Sequence, residues 1–176
     1  MRNLFPIFML ITNLALNKDT TTNHNNNFIH ATCKVTPNYS LCVKILQSDP
    51  RSYEVKGGDD ITILGLIMVD ALKLKTVKII NKLKELEKSH PEWRAPLSQC
   101  YMAYYAVLRA DVMVAVAALK RGVPKFAEEG MVDVVVEAET CEFSFNYNKL
   151  ISPISDMSKD IIELSKVAKS IIRMLL

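Results

Sequence analysis

The residues with most chemical character in this 176-residue chain are four cysteines, Cys33, Cys42, Cys100 and Cys141, and a corner reading Gly122-Val123-Pro124-Lys125-Phe126. Thiols can hold zinc, attack a substrate or pair with each other. Zinc needs clustered ligands, and there is no CxxC or Cys/His spacing; His24 lies in a polar tail, His30 at its edge and His90 at a helix end. An even number of cysteines instead fits pairing in an oxidising compartment. A hydrolase would need a nucleophile with its base, a metal cluster or carboxylates held in a cleft. No GxSxG, HExxH, P-loop or GxGxxG pattern is present, and Gly57-Gly58 has no phosphate motif behind it. Glu128-Glu129 and Glu137/Glu139 read as surface acids, and Asp59-Asp60 as favourable charge at a helix start. The chain is therefore expected not to be an enzyme and to carry no cofactor or metal.

What remains is chemistry of recognition. Lys73, Lys75, Lys78, Lys82, Lys84 and Lys88 could attract an acidic polymer such as pectin, but interspersed Glu85 and Glu87 favour a plain solvated face. Tyr101, Tyr104 and Tyr105 could stack on sugars, yet Tyr101 and Tyr104 fall on an apolar stripe and are expected in the core. Asn38-Tyr39-Ser40 is a glycosylation sequon placed between two cysteines. The corner is different. Proline fixes φ and lowers the ordering cost of binding, phenylalanine supplies apolar area, and lysine offers a point charge to a carboxylate-lined cavity. Folding of Phe126 back onto the bundle end explains the same residues equally well.

The elements that must position these groups are helices. After Thr36-Pro37, read as an N-cap and first-turn proline, a helix runs to about Ser48, so residues 28–50 form a helical hairpin, an appendage joined to the rest by a Pro/Gly linker. From 59 to 176 four amphipathic stretches follow. Leu64, Met68, Leu72, Thr76, Ile79, Leu83 and Leu86 mark the first, which ends at His90-Pro91. Leu97, Tyr101, Tyr104, Leu108, Val112, Ala115 and Leu119 mark the second, stopped by Gly122. Pro124 opens the third; Val134-Val135-Val136 would suit a strand, but the flanking signals favour helix. Ser152-Pro153 caps the fourth, whose apolar residues repeat as a heptad seam.

Short connections between four such helices imply an all-α, antiparallel up-down-up-down bundle. The cysteines agree with it. Residues facing each other across a helical hairpin are equidistant from its turn. Cys33 and Cys42 straddle residue 37, and Cys100 and Cys141 straddle the turn at Arg121 to Pro124. The expected disulfides are therefore Cys33–Cys42 and Cys100–Cys141.

Composition sets the class and the compartment. With 49% hydrophobic and 23% charged residues the chain folds as one domain, and a formal charge of +3 is too balanced for a nucleic-acid binder. Residues 1–24 begin with Arg2 and a short apolar run and read as a secretory signal with a polar tail, whose cut site is undetermined. No membrane anchor is expected.

Cys33-x-x-Thr36-Pro37-Asn38-Tyr39-x-x-Cys42, Leu46-x-Ser48-Asp49-x-Arg51-Ser52, Leu97-x-x-Cys100-x-x-x-Tyr104, Pro124-Lys125-Phe126-Ala127-Glu128-x-Gly130-Met131 and Cys141-Glu142 together resemble the plant invertase and pectin methylesterase inhibitor family. The likeness covers nearly everything after residue 28 and implies a single inhibitor domain, residues 28–176, with a helical hairpin ahead of a four-helix bundle. The Pro124-Lys125-Phe126 tripeptide resembles the invertase-inhibitor branch. That implies insertion of Lys125 and Phe126 into the sucrose-binding cleft of an acid invertase, with Glu128 and Glu129 on the polar rim. It also implies an apoplastic or wall location, with the vacuole as the other destination. Because Glu128, Glu129 and the target's carboxylates titrate at acidic pH, affinity is expected to vary between pH 4 and 7. Inhibition of pectin methylesterase is the alternative target, and a small apolar-ligand carrier the alternative of another class.

Overall fold

In the computed structural model residues 25–53, 55 and 60–176 are described; the expected signal segment, His24, Asp59 and Gly57-Gly58 lie outside them. Helix α1 covers residues 25–33 and α2 Tyr39–Ser48, followed by a 3-10 turn, Pro50–Tyr53. The bundle is built from α3 (Asp60–Ser89), α4 (Arg94–Ala106), α5 (Val112–Lys120), α6 (Pro124–Tyr147) and α7 (Ser155–Ile172). A π-helical segment, Val107–Asp111, joins α4 to α5 as one rod. The packing order closes a ring: α3 against α4 and α5, these against α6, α6 against α7, and α7 back against α3. Among the described residues there is no strand. Leu64, Leu72, Tyr104, Met131, Phe145, Ile161, Leu164 and Ile171 are fully buried between the four rods.

Both expected disulfides are present, Cys33–Cys42 with Cα atoms 5.6 Å apart and Cys100–Cys141 with Cα atoms 4.3 Å apart. The hairpin is no appendage, however. Ile29, Cys33, Cys42 and Leu46 are fully buried in the same core as the bundle. The Arg51 guanidinium donates to Asp49 at 2.7 Å and to Asp70 of α3 at 2.8 Å, so one fork clamps the hairpin to the bundle. Hydrogen bonds from Arg51 hold the Asp49 carboxyl below its usual range against the opposing effect of burial. Ser170 of α7 donates to the Val35 carbonyl at 3.1 Å.

Two caps differ from those read in the sequence. Asn38, not Thr36, caps α2, accepting from the Leu41 amide at 3.0 Å, while the Thr36 hydroxyl donates back to the Cys33 carbonyl at 2.8 Å and closes α1. The other face of the Asn38 amide, the nitrogen a glycan would modify, donates to Glu163 at 3.0 Å. At the last helix Ser152 donates to Glu142 at 2.9 Å, and α7 starts later, at Ser155. Glu142 also accepts from Ser158, which in turn accepts from the buried Tyr104 hydroxyl at 2.8 Å. This chain of hydrogen bonds ties α4, α6 and α7 together, and burial pushes the Tyr104 hydroxyl up to about 12.

The π segment accounts for a second departure. An inserted residue advances the helix by one position, so the buried positions step from Val107 to Val112. Upstream the core residues are Leu97, Cys100, Ala103 and Tyr104, and Tyr101 is 36% exposed, outside the stripe assigned to it. Opposite the segment stands Gly130, where a Cβ would lie 3.1 Å from the Asp111 carbonyl oxygen, so α6 approaches this rod closely only because no side chain intervenes.

The same crossing buries Asp111. One of its carboxyl oxygens is inaccessible and lacks a hydrogen-bond partner, while Asp133 and Glu137 of α6 add like charge; burial first, then these two, push it up to about 6. The folded state therefore holds a proton between about pH 4 and 6 that the unfolded chain has released, so this group stabilises the fold progressively as pH falls through 6. Because water still reaches part of the carboxyl, the cost of its charge at pH 7 is discounted to about 1–2 kcal/mol. Asp111→Asn is expected to gain that amount at pH 7 and to lose the gain by pH 4. Urea unfolding of both proteins across this range measures it, and parallel stability profiles would refute the assignment.

Candidate functional site

The corner between α5 and α6 is built by a sharp chain reversal. Gly122 adopts φ +69°, a left-handed conformation that glycine takes without a Cβ penalty. Its N–H donates to the Leu119 carbonyl at 3.2 Å and that of Val123 to the Ala118 carbonyl at 3.0 Å, the paired closure of a Schellman motif. Pro124 then starts α6 at once, with its φ preset for the first helical turn. A fixed turn on one side and a proline on the other leave this tip little freedom.

Phe126 is 56% exposed and the Lys125 side chain 61% exposed. Phe126 is thus displayed and does not fold back onto the bundle end. The Lys125 ammonium lies 3.1 Å from one oxygen of Glu128 and 3.8 Å from one of Glu129, the two positions a helix brings beneath it. Glu129 is exposed, but the Glu128 side chain is only 9% exposed, and its second oxygen lies 3.7 Å from Nε of Arg173 in the 3-10 turn after α7. The hydrogen bond from Lys125 holds the Glu128 carboxyl below its usual range against desolvation, with Arg173 and Lys169 assisting. Burial removes Glu128 from the open rim expected of it. Its geometry is that of a strut that holds Lys125 outward and fastens the corner to the C-terminal turn.

No side chain caps the start of α6, because Val123 occupies the cap position. The partial positive charge of a helix N-terminus and the ammonium of Lys125 therefore meet at one tip, beside the exposed ring of Phe126. Such a tip suits a pocket that combines carboxylates with apolar walls. Sequence reasoning missed Arg173, which is distant along the chain, and the inward turn of Glu128. The i, i+3 spacing of Lys125 and Glu128 was the available signal. The other groups weighed for chemistry lie elsewhere: Glu137 beside Asp111, His30 against Tyr39, and His90 stacked on Trp93. Among the described residues no group of three or more His, Cys, Asp or Glu side chains could hold a metal.

Comparison with known proteins agrees with this architecture. Residues 27–171 match the family model described as plant invertase/pectin methylesterase inhibitor. A cell wall / vacuolar inhibitor of fructosidase from Arabidopsis thaliana is 38% identical over 143 residues, covering 81% of this chain; the chain spans 66% of that protein's length. Two crystal structures of Arabidopsis pectin methylesterase inhibitors share the fold. One, a mutant form, has a TM-score of 0.67 at 19% identity, covering 82% of this chain and 94% of its own. The second has a TM-score of 0.61 at 18% identity, covering 85% and 97%. With the two disulfides, the hairpin and the four-rod core in place, the chain belongs to the plant invertase/pectin methylesterase inhibitor family.

Proposed function

We propose that this protein inhibits a plant acid invertase, a β-fructofuranosidase, by inserting the Pro124-Lys125-Phe126 corner into its sucrose-binding cleft, and that it is not itself an enzyme. The observation that carries the reading is the exposed ammonium and aromatic ring on a conformationally fixed tip. The similarity to an inhibitor of fructosidase supports the choice of target. Retaining glycosidases place two carboxylates roughly 5 Å apart across the scissile bond. An ammonium between them satisfies both, and Lys125 presents one on a side chain 61% exposed. Phe126 then fills the cleft mouth, Glu129 stands at the rim, and Glu128 acts as a positioning residue. The corresponding destination is the cell wall or the vacuole.

Titration of acid invertase and of pectin methylesterase with the purified protein, side by side at mildly acidic pH, tests the reading. Loss of invertase activity with retained esterase activity is expected. Inhibition of the esterase alone would assign the protein to the family's other target and overturn the proposal.

A further inference from the structure

The basic residues of α3 and the tyrosines of α4 were read separately in the sequence; the structure brings them together. The Lys84 ammonium lies 5.9 Å from the centre of the Tyr101 ring. Tyr101 and Tyr105 are nearly parallel, 16° apart in plane with centroids 6.1 Å apart. The Arg109 guanidinium lies 5.9 Å from the centre of the Tyr105 ring. The result is a cation, ring, ring, cation ladder along the outer edge of the α3–α4 contact. Tyr101 and Tyr105 are 36% and 46% exposed, so the ladder faces solvent and is no part of the core. It borders an open cleft of about 290 Å³ lined by Leu83, Lys84, Glu87, Leu97, Ser98 and Tyr101.

The basic side chains differ in what they rest against. Lys75 is paired with Asp160 at 2.6 Å and Lys82 with Glu85 at 3.4 Å. Lys84 and Arg109 have no ion-pair partner among the described residues and rest on aromatic rings instead. Helical spacing puts the exposed Lys73 and Lys88 on the same side of α3 as Lys84. Glu87 is the one acidic side chain lining the cleft.

A ligand that matches this pattern must present apolar ring faces and carboxylates in alternation along a chain. Polyuronides do: each pyranose has a C–H face that packs on an aromatic ring, and each carries one carboxylate. We propose that the α3–α4 face binds an acidic polysaccharide of the polyuronide class, its sugar rings against Tyr101 and Tyr105 and its carboxylates paired with Lys84 and Arg109. The long stems of both cations let them swing from ring to carboxylate without moving the helices. Tyr101 follows Cys100, which is bonded to Cys141, about 25 Å along α6 from Pro124 at 1.5 Å per residue. The polymer-binding face is thus remote from the α5–α6 corner, and it does not depend on the inhibitory reading.

Affinity electrophoresis of the full chain through gels containing polygalacturonate tests the proposal, with neutral dextran and polyglutamate as comparison polymers. Retardation by polygalacturonate is expected, none by dextran, and at least fivefold weaker binding to polyglutamate, which has the charge without the rings. Lys84→Gln combined with Arg109→Gln, and separately Tyr101→Ala combined with Tyr105→Ala, should each weaken binding at least fivefold with unchanged helical circular dichroism. Lys166→Gln, on the exposed side of α7, should leave binding unchanged. The assignment is overturned if polygalacturonate does not retard the protein, if polyglutamate binds equally well, or if Lys166→Gln costs as much as the ladder variants.

Discussion

Removal of the Cys100–Cys141 bridge, by alanine at both positions, is expected to lower the unfolding free energy by about 4 kcal/mol. The bridge joins α4 to α6 across a sequence separation of 41, and both residues are fully buried. In the chain-entropy account a cross-link acts mainly by restricting the unfolded chain, and its effect grows with the logarithm of the loop. The Cys33–Cys42 bridge, at a separation of 9, is therefore expected to contribute less, about 2.5 kcal/mol. Since single domains are stable by only about 5–15 kcal/mol, the larger loss removes a substantial part of the margin. Urea unfolding of the two double-alanine variants gives the comparison. If the hairpin variant were the less stable, the chain-entropy explanation would fail for this fold, and the packing of α1 and α2 would have to carry the difference.

Lys125→Ala is expected to weaken inhibition of acid invertase tenfold to a hundredfold, about 1.4–2.8 kcal/mol of binding free energy. The substitution removes the ammonium that enters between the two carboxylates, and leaves the turn at Gly122 and the start at Pro124 intact. It also leaves buried Glu128 with the more distant Arg173 as its ion-pair partner, so a small loss of stability should accompany the loss of inhibition. The two effects separate by measurement. Lys125→Arg keeps a cation beside Glu128 and should restore stability fully, but its broader guanidinium should recover inhibition only in part. Phe126→Ala, at an exposed position, should reduce inhibition with almost no effect on unfolding. Undiminished inhibition by Lys125→Ala would remove the corner from the mechanism.

Much of the architecture was legible because it depends on local periodicity and chain punctuation. The apolar steps of three and four identify helices in residues 60–89 and 155–172, and all seven residues named from the pattern in the first of them, Leu64 to Leu86, are buried. Gly122 and Pro124 mark the corner to the residue, since left-handed φ and a helix start without a free N–H are properties of those residue types. The disulfides followed from symmetry about two turns. Where reading failed, a helix began at a different residue from the one read as its cap, or was rotated by an insertion. α7 starts at Ser155, beyond Ser152, whose hydroxyl donates to Glu142, and α2 starts after Asn38, while the Thr36 hydroxyl closes α1. Tyr101 was misplaced because the inserted position at Val107–Asp111 leaves no mark in composition.

By itself, then, the sequence determined the helices, their order, the two cross-links and a charged aromatic tip, because each is specified by residues close in the chain or equidistant from a turn. Tertiary structure alone decided that Glu128 turns inward to meet Arg173, that the hairpin joins the core, and that Lys84 and Arg109 bracket two exposed tyrosines. Those arrangements depend on which rod lies beside which and at what rotation. Close packing of all the faces fixes that, and no single helix encodes it.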